Sequence, residues 1–272
     1  MRRMLTLIST LIVLYAAVAG GMFAFQRHLI YHPENHVEAP EHYGLTGFED
    51  VRATTPDNVL LQLWYHPAAK GFPTIVYYHG NAATLANRAG IFAALTEKGF
   101  GLLGLSYRGY AKSQGSPTEQ GLYIDARTAI AFLTEGKHIP INNIILFGES
   151  LGTGVAVQMA TEYDVAGLIL QAAYTSVASR AAEIYFYIPV QLLIQDRFDS
   201  INKIARVKAP IIMFHGELDT TIPPANSRAL MAAATAPKEA FFFPQFSHND
   251  FDSGIISAHV LDFARKYNLT TQ

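Results

Sequence analysis

The chain has 272 residues, half of them apolar and 15% charged, with a formal net charge of −2. That balance gives no electrostatic reason to expect nucleic acid or a strongly anionic surface as partner, and the length suits one large α/β domain. Cysteine is absent, which excludes a thiol nucleophile, structural disulfides and Cys-ligated zinc.

Met4 to Phe25 carries no charged residue, follows Arg2 and Arg3, and stops at Gln26-Arg27-His28. Roughly 20 apolar residues suffice to cross a bilayer, so residues 1–27 read as a signal anchor and 28–272 as the rest of the protein. The competing reading is a cleaved signal peptide, with Ala17-Val18-Ala19 as a small-x-small site. Apolar character continues past that site through Met22, Phe23 and Phe25, which suits a retained single span. Either way the paired arginines stay cytoplasmic and the remainder lies on the non-cytoplasmic side, secreted or periplasmic if cleavage occurs.

His28 to Pro40 is a His/Pro-rich connector without periodicity. Val51 to Thr55 and Asn58 to Tyr65 read as strands around Pro56-Asp57, and Thr74 to Tyr78 as a buried strand ending at His79-Gly80-Asn81. Thr84 to Lys98 has helical spacing with Gly99 as its stop, and Gly101 to Tyr107 is strand. Helix 117–134, strand 143–147, helix 151–162 and strand 166–170 follow. This alternation predicts a mostly parallel central sheet with helices on both faces. Ser176 to Ser200 holds an aromatic and aliphatic cluster, Ile184 to Val190 and Leu192 to Ile194. It reads as core helix packing or as a small lid lining an acyl pocket, with Tyr185, Tyr187 and Leu193 as the pocket wall. Asp199 is expected to cap a helix through Arg206. Strand 210–215, helix 223–234, strand 240–243 and helix 250–267 close the chain.

Gly148-Glu149-Ser150-Leu151-Gly152 stands between the apolar run 144–147 and a small-residue helix. A buried strand turning sharply into a helix, with Ser at the apex and Gly on both sides, exposes a nucleophilic hydroxyl above a parallel sheet. A serine hydroxyl needs a base, and the base needs a carboxylate to orient it. Asp219 falls on the loop after strand 210–215, on the sheet edge where ligands bind, with Glu217 as the rival acid. His248 falls on the loop after strand 240–243 and is favoured among ten histidines. His215 stands too near Asp219 in sequence to be its partner easily. For an oxyanion, Leu151 offers a backbone N–H at a helix start and Asn81 a second from the loop after strand 74–78. His79 is expected to shape that loop rather than act as a base. Metal binding is not supported, since His28, His32 and His36 read as connector composition, and phosphate-binding glycine patterns are missing.

With these residues in place, the chain resembles the α/β-hydrolase superfamily and, within it, the membrane-anchored Bem46-like serine hydrolases. The matching stretches are Phe25 to Pro33, His79-Gly80-Asn81-Ala82, Tyr107-Arg108-Gly109-Tyr110, Gly115-Ser116-Pro117, Gly148 to Gly152, His215 to Asp219 and Ser247-His248-Asn249-Asp250. The resemblance implies an α/β-hydrolase fold, a retained anchor, a minimal lid and a triad of Ser150, Asp219 and His248. Ala111 departs from it, standing where the family's loop usually continues with Gly. The resulting expectation is a cofactor-free serine hydrolase that cleaves carboxylic esters or thioesters, with lipid acyl groups among the candidate substrates, through an acyl-enzyme. A peptidase of the same fold and a catalytically idle membrane scaffold are the alternatives.

Overall fold

Apolar runs that alternate with helical stretches build a layered α/β structure in the computed structural model, which describes residues 1–271. Helix α1 (Arg2–Ile30) leads to the short strand β1 (His32–Pro33), then β2 (Glu49–Thr54), β3 (Leu60–His66), β4 (Thr74–Tyr78) and the short β5 (Ala82–Ala83). Next come α2 (Ala89–Glu97), β6 (Gly101–Ser106), α3 (Glu119–Ala131), β7 (Ile144–Glu149), α4 (Leu151–Glu162) and β8 (Gly167–Gln171). The last are α5 (Val177–Ile184), α6 (Val190–Leu193), β9 (Ile211–Gly216), α7 (Ala225–Ala233), β10 (Lys238–Phe243) and α8 (Ser253–Lys266).

Eight strands form one sheet in the order β10-β9-β8-β7-β4-β6-β3-β2, parallel throughout except at β3, which runs antiparallel to both neighbours. The inner strands are buried along nearly their whole length, which is why they read as unbroken apolar runs. Their side chains nevertheless alternate between two cores. Val76, Tyr78, Leu146, Leu168 and Met213 pack with Leu122 of α3, Val155 of α4 and Leu230 of α7. Ile75, Tyr77, Ile145, Phe147 and Phe214 pack on the other face with Phe92 of α2 and Val260 of α8.

The connector 28–40, read as lacking periodicity, carries local structure: α1 continues to Ile30, and His32–Pro33 pairs in parallel with Ala82–Ala83. A two-residue strand has no periodicity to read. Asp199 does not cap an α-helix, because only a 3₁₀ turn, Ile204–Arg206, follows. Its carboxylate instead accepts from the Asn202 side-chain amide at 2.8 Å. Asn202 is a poor helix interior residue whose side chain competes for local bonds.

Helix α1 is the one helix among the described residues long and apolar enough to cross a membrane, and no residue of its most apolar window is buried. Its last turns rest on the sheet domain, where Gln26 is buried, and further up the helix Tyr15 OH reaches Tyr187 O.

Candidate active site

Ser150 occupies the turn between β7 and α4 with φ 50° and ψ −118°, a conformation L-residues rarely adopt. Two glycines make the turn possible. A Cβ on Gly148 would lie 2.6 Å from the Gly152 carbonyl oxygen, and one on Gly152 would overlap the Tyr78 carbonyl of β4. Backbone bonds lock the apex: the Ser150 N–H donates to Gln171 O at 2.9 Å, and Ser150 O accepts from Thr153 N–H at 2.9 Å.

Ser150 Oγ lies 2.9 Å from His248 Nε2, and His248 Nδ1 lies 2.7 Å from Asp219 Oδ2. The structure thus brings together three residues 98 and 29 positions apart in the chain. Gly216 permits this, since a Cβ there would overlap the Phe246 carbonyl where the histidine loop crosses the end of β9. Asp219 is buried and its Oδ1 accepts from the Ile222 N–H at 2.8 Å. Burial pushes its carboxyl pKa up, but the bonds from His215, His248 and Ile222 outweigh burial and hold it well below the usual carboxylate range.

His215 is a partner that sequence reasoning passed over. It is fully buried, with Nε2 2.8 Å from Ile222 O and 3.3 Å from Asp219 Oδ2. Both neighbours are acceptors, so Nε2 carries a proton and Nδ1, 2.6 Å from Ser227 Oγ, is satisfied by that hydroxyl. A second missed group lies on the other side of the serine. The Glu149 carboxylate accepts from Arg88 Nε at 2.8 Å, from a second Arg88 guanidinium nitrogen, and from Tyr77 OH at 2.7 Å. Burial raises the Glu149 pKa, but the arginine charge and these bonds prevail and hold it low. The only trace in sequence is a charged residue interrupting an apolar strand just before the serine.

Asn81 and Leu151 line the same pocket as Ser150, a space of about 200 Å³. Leu151 opens α4, where first-turn N–H groups have no acceptor within the helix. Asn81 is pinned by Tyr110 OH, which donates to its carbonyl at 2.7 Å, and by His32 N–H, which donates to its Oδ1 at 3.2 Å. His79 is wholly buried against Tyr107 and Tyr110, with Nδ1 2.7 Å from Gly80 O. Burial and the nearby Arg88 charge lower its pKa to about 4, so it is neutral near pH 7.

Of the three residues expected to wall the pocket, Tyr185 does so. Leu193 lines an adjoining apolar cleft against α1 instead, and Tyr187 is half-exposed, its carbonyl accepting from Tyr15 OH at 2.9 Å. A tight reversal, with Ile188 N–H donating to Tyr185 O at 2.8 Å, turns Tyr187 away from the serine. No group of three or more His, Asp or Glu side chains among the described residues is placed to hold a metal ion.

A parallel sheet with one reversed strand and a strained serine turn above its carboxyl edge defines the class, and a sequence profile described as alpha/beta hydrolase fold matches residues 73–199. The chain belongs to the α/β-hydrolase family. An uncharacterized protein of Mycobacterium tuberculosis is 36% identical over 245 residues, covering 88% of this chain and 87% of its own. Protein bem46 of Schizosaccharomyces pombe is 29% identical over 250 residues, covering 85% and 82%. The Pyrococcus furiosus esterase Pf2001 shares the fold, with a TM-score of 0.71 at 16% identity over 87% of this chain and 98% of that one.

Proposed function

We propose that the chain is a serine hydrolase of carboxylic esters or thioesters, tethered to a membrane by residues 1–27, with the catalytic domain 28–272 on the non-cytoplasmic side. One observation carries the reading: the hydrogen-bonded chain from Ser150 Oγ through His248 to a buried, ionised Asp219. Ser150 attacks the acyl carbonyl while His248 Nε2 takes its proton. Asp219 holds the imidazole with Nδ1–H toward itself and stabilises the imidazolium that forms. His215 and Ile222 N–H keep Asp219 ionised and fixed for that role. The Leu151 and Asn81 amides receive the developing oxyanion, and preorganised donors of this kind contribute about 3 kcal/mol each to the transition state. His248 then protonates the leaving alcohol or thiol, and water resolves the acyl-enzyme by the same steps in reverse roles.

The apolar surroundings of the pocket, including Leu29, Ile30, Val177 and Ala181, suit an acyl chain rather than a charged substrate. The test is turnover of a short-chain p-nitrophenyl ester by the full chain. Ser150→Ala is expected to lower kcat by at least about 10³-fold with the circular dichroism spectrum unchanged. Unimpaired turnover by that variant overturns the reading.

A further inference from the structure

The pocket at Ser150 continues away from the serine along α1. It shares Leu29, Ile30, Ala181 and Tyr185 with a second apolar cleft, which runs between α1 and the α5–α6 hairpin to Met22 and Phe23. Eight helical residues separate Met22 from Ile30, about 12 Å along the axis. One wall of this continuous groove is therefore the apolar N-terminal helix itself.

The hairpin is fastened to that helix at both ends of the groove. At the base, Gln26 Nε2 donates to Leu193 O at 3.3 Å, Gln26 Oε1 accepts from Gln195 N–H at 2.8 Å, and Arg27 Nε lies 3.1 Å from Asp196 Oδ2. At the tip, Tyr15 OH donates to Tyr187 O at 2.9 Å. Tyr15 precedes Gln26 by eleven residues, about 16 Å along the helix, in the middle of the uncharged stretch from Met4 to Phe25. The hairpin tip thus lies beside the apolar span, not above it. Its composition matches that depth. No charged residue occurs from Ile184 to Gln195, and Phe186 and Leu192 are 83% and 85% exposed.

We propose that the tip of the α5–α6 hairpin, residues 184–195, is embedded in the same bilayer leaflet as the C-terminal half of α1. The groove between them is then an acyl channel that opens sideways into the hydrocarbon and ends at Ser150. The substrate class is a long-chain acyl ester of a lipid in that leaflet, whose chain reaches the serine without passing through water. This rests on the serine hydrolase reading and on α1 spanning the membrane, and it makes the anchor a wall of the substrate site. An apolar groove open to water has no such occupant, whereas one whose mouth lies at Met22 and Phe23, below the level of Tyr15 in the uncharged span, meets acyl chains on insertion.

Two measurements on the full chain in phosphatidylcholine vesicles test it. The first needs no catalysis. The chain has no cysteine, so Phe186→Cys and Leu192→Cys each take a single nitroxide. Both labels are expected to be relaxed by oxygen and protected from a water-soluble nickel chelate, as is a reference label at Leu14→Cys. Labels relaxed by the chelate overturn the proposal, and labels shielded from both agents, as at an interface with a second copy, overturn it too.

The second measures kcat/KM for a vesicle-embedded palmitoyl glycerolipid ester against a water-soluble acetyl ester. Ala181→Trp, filling the shared segment, is expected to lower the long-to-short ratio at least tenfold, and Met22→Trp, further out and exposed to no core packing, to do the same. An unchanged ratio in the folded Met22→Trp variant overturns the channel. Release of acyl groups from an S-palmitoylated peptide but not from the lipid overturns the substrate class. Wild-type protein that hydrolyses neither ester overturns the serine hydrolase reading, and the label depths then still decide whether the hairpin is embedded.

Discussion

At the scale of single residues, the Glu149–Arg88–Tyr77 cluster is a buried charge pair beside the serine, and its energetics are those of such pairs. Removing one partner leaves an uncompensated charge, so Glu149→Gln is expected to cost about 3 kcal/mol in chemical denaturation at pH 7. The pH sign follows from the depressed carboxyl. A carboxylate held below its unfolded value stabilises the fold above that value and loses the contribution as pH falls through its folded one. Glu149 and Asp57, the latter lowered to about 2 by hydrogen bonds from Arg108 and Thr55, act in this direction. The melting temperature is therefore expected to fall between about pH 4.5 and 2, and Glu149→Gln to shrink that fall. A pH series of thermal melts for both proteins checks it. Ala111 tests the backbone. It sits at φ 49°, where an alanine is strained and glycine is not, which gives a physical reason for glycine at this place in the loop. Ala111→Gly is expected to raise stability by about 0.5 kcal/mol, the relief of strain exceeding the added freedom of the unfolded chain.

At the scale of elements, strand 74–78 and helix 151–162 have the bounds read from the sequence, because each is an unbroken run with a glycine or a turn at its end. The serine turn was equally legible, since Gly148 and Gly152 have the close contacts that the spacing implies. Gly152→Ala drives a methyl into the Tyr78 carbonyl of the neighbouring strand and is expected to cost about 3 kcal/mol, read from urea unfolding. Contacts between distant short pieces were not legible. Glu149 meets Arg88 across 61 positions, His215 finds Ser227 only once α7 has folded back, and β1 with β5 amounts to two residues on each side. The link between α1 and the hairpin belongs to the same group. Asp196 is buried and receives Arg27, Tyr31 OH at 3.1 Å and the Glu119 N–H at 3.2 Å. Asp196→Ala is expected to cost about 2 kcal/mol and to speed amide exchange in residues 177–195 ahead of the rest of the domain.

At the scale of the whole molecule, a sheet buried on both faces fixes the ends of β4, β7, β9 and β10 on one edge, and each of the groups proposed to act comes from a loop at that edge. The order of Ser150, Asp219 and His248 in sequence was readable because each follows an apolar strand. Distances and the orientation of the pocket toward α1 were not, since they depend on how separate loops pack. The proposed function stands on the acylation of Ser150, driven by His248 and Asp219. Intact-protein and peptide mass spectrometry after treatment of the full chain with a fluorophosphonate measures it most directly. A single adduct on Ser150 is expected, absent in Ser150→Ala and formed at least about 10³-fold more slowly in His248→Ala. No adduct on the folded wild-type chain, or one that forms on Ser150 at an undiminished rate without His248, would contradict it.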